Sequence, residues 1–299
     1  MRILHTSDWH LGRNLEQISR LEEQRGFIDS LVRIADEEDV DLVLVAGDIY
    51  DTYNPSAAAE ELFYDAMDRL GGKSGRAVIA IAGNHDNPDR LCAASPLAYK
   101  NGIILLGYPG SDAGEYRMGA GGINITDSGP GWLELSLPRC GHNAVIITMP
   151  FPSESRLEEL LSEKADEAEL QNAYSEKIGS IFAGLSVKFR DDTVNLIVAH
   201  LFLLGGSTSD SERTLQVGGA MTVDPSVLPE KAHYAALGHL HRPQQIRSAP
   251  CPAYYAGSPL AYSFSEAGYS KAVNIVDAQP GEKAEVRPVY LDCGKPLIK

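Results

Sequence analysis

The chain has 299 residues, 43% hydrophobic and 22% charged, an ordinary balance for a soluble globular protein with length enough for a sizeable core. Its net charge is −15, which argues against a nucleic-acid binder unless a local basic patch or bound cations invert the sign of one cleft. No basic-then-apolar leader and no apolar run near ~20 residues is visible, and the four cysteines form no C-x-x-C pair, so a membrane span, a disulfide framework and a thiolate zinc site are not expected. A reducing, cytoplasmic setting is.

The first hundred residues alternate β and α patterns. Arg2–Thr6, Leu42–Ala46 and Ala77–Ala82 are short apolar runs that read as buried strands. Between them, Arg20–Asp39 carries Leu21, Phe27, Leu31, Ile34 and Ala35 at roughly helical spacing. A second helix follows Asn54-Pro55, read as N-cap and first-turn residue, and ends at Gly71-Gly72. This order implies a mainly parallel sheet covered by helices.

The middle changes character. Gly107–Gly131, rich in Gly, Asp and Ser, reads as a long excursion or a weak hairpin. Trp132–Leu137 and Ala144–Met149 return as strands. Ser153–Gly184 is charged and helical, with Glu158, Glu159, Glu163, Lys164 and Glu167 on a solvated face. After the strand Val194–His200, Gly205–Val223 reads as a long loop. Tyr234–Leu237, Ala253–Ala256, Ala272–Val276 and Glu285–Leu291 then read as strands with tight turns. The predicted class is α/β, a sandwich of two sheets with helices outside.

Four polar clusters each follow directly on a predicted strand: Asp8-Trp9-His10, Gly47-Asp48-Ile49-Tyr50-Asp51, Gly83-Asn84-His85-Asp86 and Gly238-His239-Leu240-His241. His200 closes a fifth strand. In open α/β sheets, ligands bind at the carboxyl ends of strands, so five such ends converge on one crevice. Residues i and i+2 of an extended segment share a side, which lets Asp8 and His10, and likewise His239 and His241, address one site. The glycines at 47, 83 and 238 allow sharp turns. The donors are oxygen and imidazole, a set suited to Mn²⁺, Fe²⁺ or Zn²⁺. Taken singly, each motif is a common turn, cap or core histidine. Together they are not, because five of the eight histidines fall at these strand ends. His5, His142 and His233 are left as structural.

Asp-x-His, Gly-Asp-x-x-Asp, Gly-Asn-His-Asp, a later His and Gly-His-x-His, in this order, resemble the signature of the calcineurin-like metallophosphoesterases. Within that superfamily "MRILHTSDWHLG", "VAGDIYD", "AGNHDNPDR", "ALGHLHRPQ" and "YAGSPLAYSFSE" are similar to the SbcD nuclease family. The resemblance runs from Met1 to about Leu291 and is weakest in Gly107–Gly131. It implies a four-layer sandwich, two central mixed β-sheets flanked by helices, filling residues 1–291. Residues 292–299 would begin the linker to a capping domain that the chain lacks.

The resemblance also implies a ligand set. Asp8, His10, Asp48 and His241 would hold one divalent ion, and Asp48, Asn84, His200 and His239 the other, with Asp48 bridging and Mn²⁺ the expected metal. His85 resembles the catalytic histidine, with Asp51 and Asp86 holding imidazoles in the productive tautomer. The implied activity is two-metal hydrolysis of DNA phosphodiesters, as double-strand exonuclease and single-strand or hairpin endonuclease, in repair and recombination. Implied partners are DNA, an SbcC-type ATPase and a second copy of the chain, the copy meeting it through Pro55–Leu70 and Pro88–Tyr99. Arg13, Arg20, Arg25 and Arg90 are candidates for phosphate contacts. Two other readings stay open: a phosphoesterase for cyclic nucleotides or phosphoproteins, and a non-catalytic scaffold for an ATPase.

Overall fold

A computed structural model describes residues 1–72, 75–119, 121–153, 155–156, 167–212 and 221–298. Two sheets stack face to face. The first has six strands in the order Glu285–Tyr290, Ala272–Asp277, Arg2–Thr6, Leu42–Ala46, Ala77–Ile81, Ile103–Leu106. Its last four strands are mutually parallel, and the two C-terminal strands join antiparallel on the other flank of Arg2–Thr6. The second sheet has eight strands, with Ala144–Met149, Val194–His200, Tyr234–Gly238 and Ala253–Tyr255 parallel at its centre.

The central parallel strands are buried on both faces, which is why they read as unbroken apolar runs, while Glu285–Tyr290 at the edge of the first sheet is largely exposed. Alternation decides what each residue meets. Leu4, Val43, Val45, Val78 and Ala80 face outward under the helices Leu21–Glu37 and Ala57–Leu70. Ile3, Leu42, Leu44, Ile79 and Ile81 face inward against Ile146, Leu196 and Val198 of the second sheet. The far side of that sheet packs Ile147, Ile197 and Leu237 against Tyr174, Ile178 and Phe182 of the helix Glu167–Ser186. The result is four layers, helix, sheet, sheet, helix, as expected.

Several local expectations need correction. The helix Ala57–Leu70 is capped by Ser56, whose hydroxyl accepts the Ala59 N–H at 3.3 Å, and not by Asn54. Pro88–Tyr99 is not one helix. It breaks into Pro88–Cys92 and Ser95–Ala98, because Pro96 sits in the first turn of the second piece and cannot continue the first. Tyr116–Arg117 and Asn124–Gly129 form the weak hairpin, and it extends the edge of the second sheet. Glu158, Glu159, Glu163 and Lys164 lie outside the described residues, as does the stretch 213–220 of the expected long loop. Among the described residues no helix is long and apolar enough to cross a membrane.

Candidate metal centre

The first sheet delivers Asp8, His10, Asp48, Asn84 and His85 just past its parallel strands, and the second delivers His200, His239 and His241. These strand ends meet across the interlayer. Three groups form among the described residues, Asp8 with His10 and His241, Asp48 with His200 and His239, and His10 with Asp51 and His85, each with donor atoms within 4.8 Å of one another; the first two are made of expected ligands alone. Asp48 Oδ2 lies 3.7 Å from His10 Nε2 and 3.6 Å from His200 Nε2, a position between the two groups. His10 Nε2 and His241 Nε2 face each other at 3.0 Å. The structure brings all seven expected ligands together.

Close approach of the sheets depends on glycine. A Cβ at Gly238 would lie 1.7 Å from the Ala46 carbonyl oxygen, and one at Gly83 would lie 2.1 Å from Asp48 Oδ1. These two serve proximity, while Gly47 also needs its left-handed φ of +87°. The ligands themselves carry strain. Asp8 (φ 53°), His10 (45°), Asp48 (48°) and His239 (108°) all sit at positive φ, a conformation that side chains other than glycine adopt at a cost. The backbone bonds Asp8 N–H to Gly47 O at 3.0 Å and His10 N–H to Asp48 O at 2.9 Å hold these loops in place.

The donor set fits divalent cations. Burial pushes the imidazoles of His10, His200, His239 and His241 below their ordinary value, His10 to about 4, so each is neutral and offers a lone pair. Burial, reinforced by Asp48, holds the Asp8 carboxyl well above its ordinary range. Burial opposes ionisation of Asp48 too, yet the imidazoles of His200, His85 and His10 hold it below that range. His200 Nδ1 donates to Ala46 O at 2.9 Å, which leaves its Nε2 lone pair facing Asn84 Oδ1 at 2.9 Å. Two acceptors aimed at each other in a buried site are an arrangement that a bound cation satisfies. Among the described residues, Asn84 Nδ2 and His10 Nδ1 have no hydrogen-bond partner.

His85 stands apart from the seven. Its Nδ1 contacts the main-chain oxygen of Asp51 at 2.7 Å, an acceptor that fixes Nδ1–H and leaves Nε2 as the free atom. Its own N–H donates to Asp48 Oδ1 at 2.9 Å. The Asp51 carboxylate lies 3.5 Å from His10 Nδ1 and 3.3 Å from Arg13. Asp86 departs from its expected role. Its fully buried carboxylate accepts the N–H groups of Gly83, Tyr50 and Ile49 at 2.8, 2.8 and 3.1 Å, so it shapes two ligand loops and holds no imidazole. Of the expected phosphate contacts, Arg20 is buried on Glu23 and the Ala261 carbonyl. Arg25 and Arg90 pair with Glu22 and Glu60 at the surface.

Sequence reading missed the outer ring of supporting residues. Ser7 donates to Asp8 Oδ2 at 2.6 Å, and Gln24 holds the His10 carbonyl at 2.8 Å. Arg156 bridges the carbonyls of Gly83 (2.8 Å) and Asp86 (2.7 Å), clamping the turn that carries Asn84 and His85. Gln24 and Arg156 carry no local motif, and Ser7, though it precedes Asp8 within the first motif, shows its role only once the fold places it. His5, left as structural, is so. It is fully buried between Tyr234 OH (2.8 Å) and Leu237 O (3.1 Å), and burial pushes its imidazole down to about 3.

Comparison with known proteins agrees with this geometry. Residues 1–243 match the calcineurin-like phosphoesterase family. The chain is 48% identical over 299 residues to the SbcD subunit of the SbcCD nuclease from Bacillus subtilis, covering 100% of this chain and 72% of that protein. The SbcD subunit from Rhodobacter capsulatus is 34% identical over 315 residues, with 100% and 71% covered. That from Staphylococcus epidermidis is 31% identical over 279 residues, with 93% and 66% covered. Among solved structures, a dimetal phosphatase from Danio rerio (TM-score 0.50, 12% identity, 96% and 98% covered) shares the fold. So does GAP50 of the Plasmodium inner membrane complex (0.50, 14%, 99% and 91%). The ligand-bearing strand ends, the four layers and the matched relatives converge: the chain belongs to the calcineurin-like phosphoesterase family and, within it, to the SbcD nucleases.

Proposed function

We propose that this chain is a metal-dependent DNA nuclease that hydrolyses phosphodiester bonds at the centre formed by Asp8, His10, Asp48, Asn84, His200, His239 and His241. The observation that carries the reading is the complete ligand set beside a histidine, His85, whose Nε2 is left free. Two divalent ions, Mn²⁺ by the subfamily resemblance, supply charge neutralisation and an acidified water when bound. With only Asp8 and Asp48 anionic among the ligands, the occupied centre is positive by formal count, which attracts phosphate to an acidic protein.

The chain's own residues do the rest. Asp51 O holds the His85 proton on Nδ1, so Nε2 faces the substrate and, once protonated, donates to the phosphoryl or leaving oxygen. Arg156 and Asp86 keep the Gly83–Asp86 turn in place from either side. The reading extends to an SbcC-type ATPase partner and to exonuclease and hairpin-endonuclease action. It also extends to a homodimer through the apolar groove of Phe63, Tyr64, Met67 and Leu97. The test is Mn²⁺-dependent cleavage of labelled duplex and hairpin DNA by the parent and by His85→Ala. Cleavage reduced about 10²–10⁴-fold with Mn²⁺ binding retained is expected. Equal cleavage by both proteins, or turnover of a cyclic dinucleotide in preference to DNA, refutes the reading.

A further inference from the structure

Four imidazoles line the centre, and their outer nitrogens meet different surroundings. His200 leans on a main-chain carbonyl and His10 stands loosely beside Asp51. His241 alone among these is backed by a buried ion pair. Its Nδ1 lies 2.6 Å from Ser211 Oγ, and that hydroxyl donates to Glu266 Oε1. Glu266, fully buried, accepts a hydrogen bond from Lys271 Nζ at its other oxygen. Lys271 also donates to Ser258 Oγ at 2.8 Å and to the His241 carbonyl at 3.1 Å. From the other side, Glu212 Oε1 accepts the His241 N–H at 2.8 Å.

Proton counting gives this chain of contacts a direction. A carboxylate only accepts, so the single Ser211 proton goes to Glu266. The Ser209 hydroxyl proton is claimed in the same way by Glu212 Oε2 at 2.7 Å, so Ser209 Oγ, 2.8 Å from Ser211 Oγ, does not supply a proton to it. With its own proton committed to Glu266, Ser211 turns a lone pair to His241 Nδ1. The imidazole must carry its proton there, which leaves the Nε2 lone pair aimed at the first ion site beside His10 Nε2. Lys271 supplies the counter-charge that keeps Glu266 an acceptor.

We propose that Glu266, acting through the Ser211 hydroxyl and paired with Lys271, is a positioning residue that locks His241 in its Nδ1–H tautomer and thereby sets the affinity of the Asp8–His10–His241 site for a divalent cation. Outer hydrogen-bond partners of this kind are typically worth 10–100-fold in metal affinity. The proposal rests on the dinuclear reading above only for its consequence. The tautomer itself is a property of the ion-free protein.

The test uses the full chain, stripped of metal, with ¹⁵N-labelled histidine. Nitrogen chemical shifts of His241 report its tautomer, and calorimetric titration with Mn²⁺ reports the number and affinity of sites. The parent is expected to show His241 as Nδ1–H. Ser211→Ala is expected to mix the tautomers and weaken one of two Mn²⁺ sites about 10–100-fold, leaving the other unchanged, and Ser211→Thr, which keeps the hydroxyl, is expected to restore both. An Nε2–H tautomer in the parent overturns the proposal without any variant. So does a folded Ser211→Ala protein with both the tautomer and two affinities unchanged. A parent that holds the Nδ1–H tautomer but takes up no Mn²⁺ overturns the affinity half of the proposal along with the dinuclear reading, and leaves the tautomer lock standing.

Discussion

Gly238→Ala adds one methyl group at a point where the two sheets approach closely. The new carbon would lie 1.7 Å from Ala46 O and 2.9 Å from His200 Nδ1. A carbon and a carbonyl oxygen settle at about 3.3 Å, so the strands must part by about 1.6 Å. Overpacking of this kind costs about 1–3 kcal/mol. Parting the strands also breaks the His200–Ala46 hydrogen bond, leaving buried groups unpaired at about 1–3 kcal/mol more. A total of about 2–6 kcal/mol follows. With an unfolding entropy of about 2.1 cal/mol/K per residue, a chain of this length loses about 3–10 °C in Tm. Gly184→Ala is the control. That glycine lies in the helix Glu167–Ser186 with nothing within 4 Å of its added Cβ, so alanine there should raise Tm by about 1 °C through helix propensity. Thermal unfolding by circular dichroism measures both, and Mn²⁺ titration adds a second readout, since the displaced His200 should bind more weakly. A Gly238→Ala protein that melts within 1 °C of the parent and binds Mn²⁺ equally well refutes the claim that glycine sets the approach of the sheets.

Other expectations follow from the same geometry. Asp86→Ala strands three buried amide donors at about 1–3 kcal/mol each, so urea unfolding should show a loss of about 3 kcal/mol or more; a loss under ~1 kcal/mol would mean that water replaces the carboxylate. Mn²⁺ at a hundred times its Kd should stabilise the parent by about 2.7 kcal/mol per site, so about 5.4 kcal/mol for two sites, seen as a Tm rise of about 9 °C that EDTA abolishes and Asp48→Ala flattens. Hydrogen bonds from Arg190, with Asn143 adding to them, hold the Glu134 carboxyl below its ordinary range. An acid with a depressed folded value contributes stability above its unfolded value and loses it as pH falls through the folded one. Glu134→Gln should therefore be less stable than the parent at pH 7, and the two should converge in acid below the ordinary carboxylate range. A gap unchanged by acid denies the ion pair that role.

Much of the centre was legible before any fold was built. Arg2–Thr6, Leu42–Ala46, Ala144–Met149 and Val194–His200 run as predicted, because strands covered on both faces are written as apolar runs bounded by polar residues. Each ligand motif also lies within a few residues of its strand, so local spacing was enough to gather Asp8 with His10 and His239 with His241. The role of Asp86 was misread for a related reason. Spacing shows that a carboxylate sits near a site, but not whether its oxygens turn to a ring or to the chain.

The sequence by itself determined which side chains converge on the candidate metal centre, since donor type and strand-end placement are local properties. Only the tertiary structure decided how they are arranged and supported. His10 and His241 are 231 residues apart and meet at 3.0 Å because two sheets press their strand ends together at glycines. Ser211, Lys271, Gln24 and Arg156 carry no motif, Glu266 only closes the one that starts at Tyr255, and the roles of all five exist only once buried donors and acceptors must be paired. That pairing is a condition on the whole packed interior, and no stretch of sequence contains it.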